Sequence, residues 1–374
     1  QDENLSRKMQ FTPISMPRKL TPKPTIMKNL IFICTIFFGV NSTNAQELES
    51  ILLASDDASL LLENYLNPVM KGLMTSMNNG WYTTAKTHKK FGFDITIGAS
   101  ASFTPDKDQM FQFVADQYEF ISVSGGNRSI PTILSKGETE TEINISVPYE
   151  GDKFKVGTFR MPGGIAKDLP ANATPAPFVQ VGLGLPFKTT VKLRLVPKTK
   201  FSTDVEANLI GVGLQHDLTQ YLGIVEKLPF SVSLFGAYTS ASVEYAIKND
   251  ALTDRVSVTN GLAQFKLNTW TVQALGSLDF KIVSVYGGLG YNGGTSSFDI
   301  KGDYSLSYDI QDSGQNNLSI LDETITDPIN LDFKTSGTRA TIGARLNLAF
   351  FKIFADYTLQ EYNTATVGVA FSFR

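Results

Sequence analysis

Cysteine and histidine are almost missing from this sequence of 374 residues, which has one cysteine, Cys34, and two histidines, His88 and His216. Paired histidines and the spacing of a calcium loop are also missing, so the sequence predicts no metal and no cofactor. A serine hydrolase of the Ser-His-Asp type would need one histidine beside a nucleophile. His88 lies in the Lys-rich link "KTHKK" and His216 lies at a strand end, so we do not expect an enzyme.

An excess of one charge and a long hydrophobic run are missing too. The net charge is −3, so the chain has no basic footprint for a nucleic acid, and we expect no such partner. The longest apolar run, from Leu30 to Val40, is shorter than the roughly 20 residues that a membrane-spanning helix needs.

That short run belongs to an export signal. In "MKNLIFICTIFFGVNSTNAQ", Lys28 precedes the apolar run, and small residues follow at Thr43 and Ala45. This order is typical of a secretory signal peptide, predicted at 27–45 with cleavage between Ala45 and Gln46. Residues 1–26 are predicted to be an upstream extension without structure. The mature chain would then have no cysteine.

Residues 46–88 have a helical pattern. Apolar residues recur three and four positions apart, and Ser55-Asp56-Asp57 resembles a cap between two short helices. Pro68 is expected to interrupt the second helix, and Asn78-Asn79-Gly80 to end it. We predict a plug inside a barrel, and the alternative is a helical cap on a soluble β domain. The residues assigned to the plug are Asp56, Asp57, Asn67 and Pro68.

The periodicity changes to two after residue 88. In "FGFDITIGASASF", which spans 91–103, every second residue is apolar and the others are polar or small. The same design recurs at 178–197, 270–291 and 338–350, with short turns between successive strands. Polar connections rich in Gly, Asn, Asp and Pro, such as "SLSYDIQDSGQNNLSILDETITDP", separate the hairpins.

Short turns at one end and long loops at the other are the asymmetry of an outer-membrane barrel. A soluble β-sandwich also alternates, but three features favour a membrane barrel. The apolar faces are about 9–11 residues long, as tilted membrane strands require; the polar faces hold charges in mid-strand; and a signal peptide directs the chain to export. The fold predicted for 89–374 is therefore a closed antiparallel transmembrane β-barrel of about 12–14 strands, an all-β membrane protein. The strand count is ambiguous between Phe111 and Phe159.

Charged residues on the polar faces are predicted to project into the lumen. They would form either a constriction that selects solutes or internal ion pairs that hold the plug, and the second interpretation is preferred. The residues are Asp94, Lys192, Arg194, Glu206, Asp279, Arg339 and Arg345.

The mature chain resembles the outer-membrane barrels related to the long-chain fatty-acid transporter. "SDDASLLLENYLNPVMKGL" is similar to the acidic, helical stretch with which those proteins begin, although the family's Trp-Asn-Pro-Ala-Gly reads here as Leu66-Asn67-Pro68-Val69-Met70. The resemblance implies an N-terminal hatch in the lumen and a hydrophobic small-molecule ligand. "GVGLQHDLTQYLGIVEKLPFSVSLFGAYT" also resembles a group of uncharacterised Gram-negative barrel proteins.

The function expected from these features is a channel or transporter for small hydrophobic or amphipathic solutes in the outer membrane. The alternative is a barrel that does not transport but anchors or assembles surface or secretion partners. The lipid bilayer and the barrel-assembly machinery are the expected partners. The final strand, "TATVGVAFSFR", should pair with the first, and Phe371 and Phe373 resemble the terminal signal that the assembly machinery reads.

Overall fold

A computed structural model of the protein describes residues 55–373 except 127, 138–139, 150–151, 201, 224–228, 249–255 and 312–317. The predicted signal peptide, the upstream extension and residues 46–54 of the predicted plug lie outside the described residues. Within the described residues, no helix is both long enough and apolar enough to cross a membrane.

One α-helix, α1 (Ser55–Met77), precedes sixteen strands in the described part of the chain. The strands are β1 (Phe93–Phe103), β2 (Met110–Gln112), β3 (Ile121–Val123), β4 (Ser129–Pro131), β5 (Thr141–Tyr149), β6 (Asp152–Met161), β7 (Ala173–Leu185), β8 (Thr189–Lys200), β9 (Val205–Asp217), β10 (Phe230–Ala246), β11 (Val256–Asp279), β12 (Val283–Gln311), β13 (Leu318–Thr326), β14 (Ile329–Leu348), β15 (Phe351–Leu359) and β16 (Thr364–Phe373).

Ten of these strands close into an antiparallel ring. The order is β11-β10-β9-β8-β7-β1-β16-β15-β14-β12, and β12 pairs back with β11. The last strand closes against the first as predicted, in a continuous register from Phe93↔Phe373 to Ser102↔Thr364. At the end of this seam the rings of Phe93 and Phe373 stack with their centroids 4.9 Å apart. Within the described residues, every strand of the ring therefore has a hydrogen-bonded neighbour on both sides, as a closed barrel in lipid requires.

The predicted strand number of 12–14 is wrong, because the ring has ten strands. The ambiguous region does not enter the wall. Residues 104–172 form an excursion between β1 and β7, in which β2 pairs with β4 and β3-β5-β6 form a separate sheet. We call residues 104–172 the cap. In β5 the alternating Ile143 and Ile145 are fully buried within the described residues, so their apolar face meets protein rather than lipid.

The two ends of the barrel differ. Connections 186–188, 280–282 and 349–350 are short, and β1 begins and β16 ends at the same side, which we call the short-turn end. The cap lies at the opposite, long-loop end. Contrary to expectation, most of "SLSYDIQDSGQNNLSILDETITDP" is not an irregular loop: β12 runs on to Gln311 and pairs with β13 beyond the ring.

The wall reverses the burial pattern of a soluble protein. Its outward face is apolar and exposed, with Leu195 64%, Ile342 66% and Leu289 69% accessible. Its inward face is polar and buried. The outward aromatics Trp270, in β11, and Phe280, just after its end, are about ten residues apart. At the roughly 40° tilt that is usual for such barrels, this stretch spans roughly 25 Å along the barrel axis. This height matches the apolar band of outer-membrane barrels, so β11 and β12 continue past the membrane.

The helix α1 is continuous, and Pro68 lies inside it rather than interrupting it. A proline inside a helix costs about 3 kcal/mol in lost hydrogen bonding and steric conflict. Packing offsets that cost here, because Leu66, Val69 and Met70 around the proline are buried. As predicted, the helix ends before Asn78-Asn79-Gly80, where the Asn79 amide donates to the Ser76 carbonyl oxygen at 3.1 Å.

The first turn of α1 is bound to the cap. The buried Asp57 carboxylate accepts hydrogen bonds from the backbone amides of Glu119, Phe120 and Ile121 at 3.1, 2.5 and 2.9 Å. Further along, the Ile133 amide donates to the Tyr65 carbonyl oxygen at 3.1 Å. The beginning of α1 therefore lies at the long-loop end, and the helix and the cap form one unit.

We expect Asp57→Ala to detach the cap from α1 without unfolding the barrel. Three backbone amides, of which that of Ile121 is buried and the other two are partly buried, would lose a charged acceptor. Each such bond contributes about 1.5–3 kcal/mol. Amide hydrogen exchange at 119–121 should accelerate at least tenfold. Glu63→Ala, on the exposed side of the same helix, is the control and should leave exchange unchanged, and equal protection in the Asp57 and Glu63 variants would contradict this role of Asp57.

Candidate functional site

The lumen is occupied by the segment that joins α1 to β1. We call residues 78–90 the strap. It begins at the end of α1, on the side of the long-loop end, and runs through the interior to the short-turn end. There the Phe91 amide donates to the Gly184 carbonyl oxygen at 2.8 Å. Its side chains and its backbone carbonyl groups bind the polar inward face of the wall, as the following contacts show.

Two arginines of the wall bind the beginning of the strap, next to the C-terminal end of α1. Arg194 on β8, 2% exposed, donates from Nη1 to the Met77 carbonyl oxygen at 3.1 Å and from Nη2 to the Asn79 carbonyl oxygen at 2.8 Å. Arg339 on β14 donates to the Asn78 carbonyl oxygen at 3.0 Å and to Asn79 Oδ1. The C-terminal end of a helix carries partial negative charge on unpaired carbonyl groups, which favours cations there.

An aromatic cluster fills the middle of the lumen. Trp81 and Tyr82 of the strap pack with Phe235 and Tyr286, which project inward from β10 and β12. The Arg194 guanidinium lies 3.9 Å from the centroid of the Trp81 ring, which adds a cation–π contact. Gly213 of β9 makes room for the indole, because a Cβ there would lie 3.0 Å from Trp81 Cε3.

The lower strap forms a hydrogen-bonded network with β9 and β11. Thr84 Oγ1 donates to Asp279 Oδ1 at 2.8 Å, and Gln215 Nε2 donates to the Thr84 carbonyl oxygen at 3.0 Å. The Ala85 amide donates to Ser277 Oγ at 3.0 Å. These contacts pair the buried backbone groups of a segment that has no regular secondary structure.

Towards the short-turn end, one acidic and one basic side chain of the wall contact the strap. His88 Nε2 lies 2.8 Å from Asp94 Oδ1 of β1. Lys192 Nζ, on β8, donates to the Trp81 carbonyl oxygen at 2.6 Å. The space that remains between the strap and the wall here is a polar cavity of about 20 Å³, enough for about one water molecule.

The structure places the charged residues singled out from the sequence on both faces of the wall. Asp94, Lys192, Arg194, Asp279, Arg339 and Arg345 are on the inward face, where Arg345 Nη1 donates to Thr83 Oγ1 at 3.1 Å. Glu206 shares the outward face of β9 with Ile210 and pairs with Lys198 at 2.8 Å. Near the long-loop end, beyond the apolar band, a carboxylate on the outward face meets water.

Of the predicted plug residues, Asp57 binds the cap, whereas Asn67 and Pro68 lie within α1; Asp56 is in its first turn. His216 and Asp217 face opposite sides of β9. His216 Nδ1 lies 2.8 Å from Thr189 Oγ1, and Asp217 accepts from the Thr219 amide at 2.8 Å. Among the described residues, no group of three or more His, Cys, Asp and Glu side chains could hold a metal ion.

Several lumen residues were not predicted from the sequence. Asn79, Trp81 and Thr84 carry much of the contact between strap and wall, but "NNGWYTT" has no periodic pattern. Gln180 and Gln215 could have been predicted to face the lumen. Each is a polar residue in a strand that otherwise alternates apolar and small residues.

A closed ring with an apolar outward face, a polar lumen and an N-terminal plug defines the class as a β-barrel of the outer-membrane type. The chain belongs to a family of unknown function (DUF6588), whose model matches residues 27–373. No curated protein matches the sequence.

Solved outer-membrane barrels cover most of the chain at low similarity. The attachment invasion locus protein Ail of Yersinia pestis is 11% identical, with a TM-score of 0.24, and covers 76% of this chain and 100% of its own. The translocator domain of the autotransporter NalP from Neisseria meningitidis is 11% identical (TM-score 0.27; 77% and 90% covered). The toluene transporter TodX of P. putida is 9% identical (TM-score 0.20; 75% and 89% covered). Scores this low carry no argument about activity.

Proposed function

We propose that this protein is a plugged outer-membrane barrel that conducts no solute in its resting form and that presents the cap to a partner outside the membrane. The observation that carries the proposal is the occupied lumen. Trp81 and Tyr82 of the strap fill the middle of the lumen against Phe235 and Tyr286, and near the short-turn end the strap and the wall leave a polar cavity of about 20 Å³. Outer-membrane barrels have short periplasmic turns and longer outer loops, so the cap faces outward.

The plug, the cap and the wall are connected as one body. Asp57 joins α1 to the cap, and Tyr362 Oη, in the turn between β15 and β16, donates to Asp108 Oδ2 of the cap at 2.8 Å. Opening the lumen would break the contacts of Arg194 and Arg339 with the strap together with those of the network around Thr84. Each buried bond of this kind contributes about 1 kcal/mol, and those to charged groups contribute more. A stationary scaffold that presents the cap fits this arrangement better than a frequently opening gate.

Uptake of a small hydrophobic solute is the second candidate. It is favoured by an apolar groove of about 530 Å³ on the outer face of β14–β16, lined by Leu346, Ile353 and Val367 among others. A solute dissolved in the lipid would meet this groove. Passage from there into the lumen would require the strap to move. Solute uptake therefore needs a mobile strap, whereas a scaffold that presents the cap works with a fixed one.

A disulfide between α1 and the wall tests that difference. Ser76 Oγ donates to Ser102 Oγ at 2.7 Å, so Ser76→Cys/Ser102→Cys places two thiols within bridging distance. We expect the wild type in planar bilayers to show no steady conductance and the oxidised variant to behave in the same way. Cells producing the oxidised variant should keep any surface-binding phenotype of the wild type.

The matched control joins two wall strands. Ser100 Oγ and Thr366 Oγ1 lie 3.1 Å apart across the β1–β16 seam, so Ser100→Cys/Thr366→Cys cross-links the barrel without holding α1. A steady conductance of the wild type would overturn the proposal. So would uptake of toluene or a fatty acid that the Ser76–Ser102 bridge abolishes, reductant restores and the control bridge leaves intact, and that result would establish the second candidate.

A further inference from the structure

The polar cavity at the short-turn end carries an excess of positive charge. Its lining includes three basic side chains that are buried or half-buried, Lys192, Arg345 and Lys352, together with the exposed Lys86 and one carboxylate, Asp94. Lys192 and Arg345 are 7% and 8% exposed. Buried charges in proteins are normally paired, because an unpaired one loses its hydration without compensation.

The hydrogen bonds of these cations go mainly to neutral groups. Lys192 Nζ donates to the Trp81 carbonyl oxygen at 2.6 Å, and Lys352 Nζ donates to Ser372 Oγ at 2.7 Å. Arg345 Nε is buried and has no acceptor among the described residues. The positive charges of Lys192, Arg345 and Lys352 repel one another across the cavity.

The carboxylates nearby are already engaged. Asp94 accepts from Thr96 Oγ1 at 2.7 Å and faces His88. Asp279 accepts from Thr84 and Ser277 at 2.8 and 2.6 Å and lies 3.5 Å from Arg345 Nη2. Around the cavity, the two carboxylates Asp94 and Asp279 therefore stand against the three cations Lys192, Arg345 and Lys352.

The size of the cavity favours a small anion. Its volume of about 20 Å³ is of the order of the roughly 10–15 Å³ that one water molecule needs, so a compact monatomic ion fits it more readily than a polyatomic one. We propose that the cavity binds one small spherical anion, of which chloride is the abundant example, between Lys192, Arg345 and Lys352. The bound ion would neutralise the wall where the strap leaves the lumen. This inference does not depend on the proposed function.

The test is a chloride titration of the purified full-length protein in detergent, with gluconate replacing chloride at constant ionic strength. Gluconate is too large for the cavity. We expect chloride to raise the thermal transition of the barrel by about 2–4 °C at tenfold saturation, along a curve that saturates. Bromide should act like chloride and give one anomalous diffraction peak in the cavity.

Lys352→Met removes one of the three cations while preserving the length of the side chain, and it should abolish the saturable chloride effect. Lys281→Met is the matched control, because Lys281 is exposed in the turn between β11 and β12 at the same end, and it should respond as the wild type does. Identical curves in chloride and gluconate would overturn the proposal, with water alone in the cavity. If Lys352→Met does not fold, the wild-type bromide peak decides, and crystals without it would also overturn the proposal.

Discussion

Deleting Phe371–Arg374 should abolish membrane assembly, with no heat-modifiable barrel recovered in the outer membrane. The deletion removes the end of β16, where Phe371 pairs with Ile95 on one side and Phe351 on the other. It also removes Phe373, whose ring stacks on Phe93 across the seam. The shortened seam loses the pairs of Phe93, Asp94 and Ile95 with β16. Backbone groups of β1 then face lipid, and each such group costs several kcal/mol. The measurement is the heat-dependent shift in gel mobility of membrane fractions.

Two further variants separate closure of the seam from recognition of the aromatic residues. Deletion of Arg374 alone retains every pair of the seam and should assemble normally. Phe371→Ser/Phe373→Ser retains the backbone pairing but loses both rings, so a failure of this variant would assign the defect to the aromatic side chains. Normal heat-modifiable barrel after the four-residue deletion would contradict the prediction.

Replacing Arg194 by methionine should release the upper strap and open the lumen. The guanidinium binds the Met77 and Asn79 carbonyl oxygens and lies against Trp81. Loss of two charged hydrogen bonds should lower the free energy of unfolding by about 3 kcal/mol or more. For a domain of more than 300 residues, the thermal transition should fall by roughly 4–5 °C. In planar bilayers we expect brief conducting events that the wild type does not show.

Arg160→Met is the control for that variant, because Arg160 is an exposed arginine on β6 of the cap and should change neither measurement. Arg194→Lys tests the geometry: it keeps the charge but loses the planar fork that reaches both carbonyl oxygens. We expect an intermediate transition temperature. An unchanged transition and a silent bilayer for Arg194→Met would show that the strap does not depend on this residue.

The strands of the wall could be predicted because the alternation that defines them is contained in short stretches of sequence. Alternation along 91–103 assigns one face of β1 to lipid and the other to the lumen whichever strand lies beside it, and the inward position of Arg194 follows from the same period. The seam between β16 and β1 followed from the requirement for closure. The inward faces of β1, β8 and β14 therefore agree with the prediction.

The strand number and the strap were not predictable, because both depend on distant partners. β5 alternates as a wall strand does, and alternation does not say whether lipid or the cap covers Ile143 and Ile145. Glu206 lies on the outward face of β9, beyond the apolar band. Polar residues are allowed on either face there, so its polarity does not indicate the lumen. The contacts of Asn79 join positions more than a hundred residues apart, and no spacing within the sequence encodes them.

The strap also fixes the order of events when the protein assembles. It continues directly into β1, which is one of the two strands of the closing seam. The side chains of the strap are packed among those of the wall from the end of α1 to the short-turn end, and they can reach these positions most readily while the ring is still open. We therefore expect the intermediate before closure to be a curved open sheet with α1 and the strap already lying against its concave face. In that order of events the plug is a template on which the wall closes, and a variant that weakens its contacts should slow assembly before it changes the finished barrel.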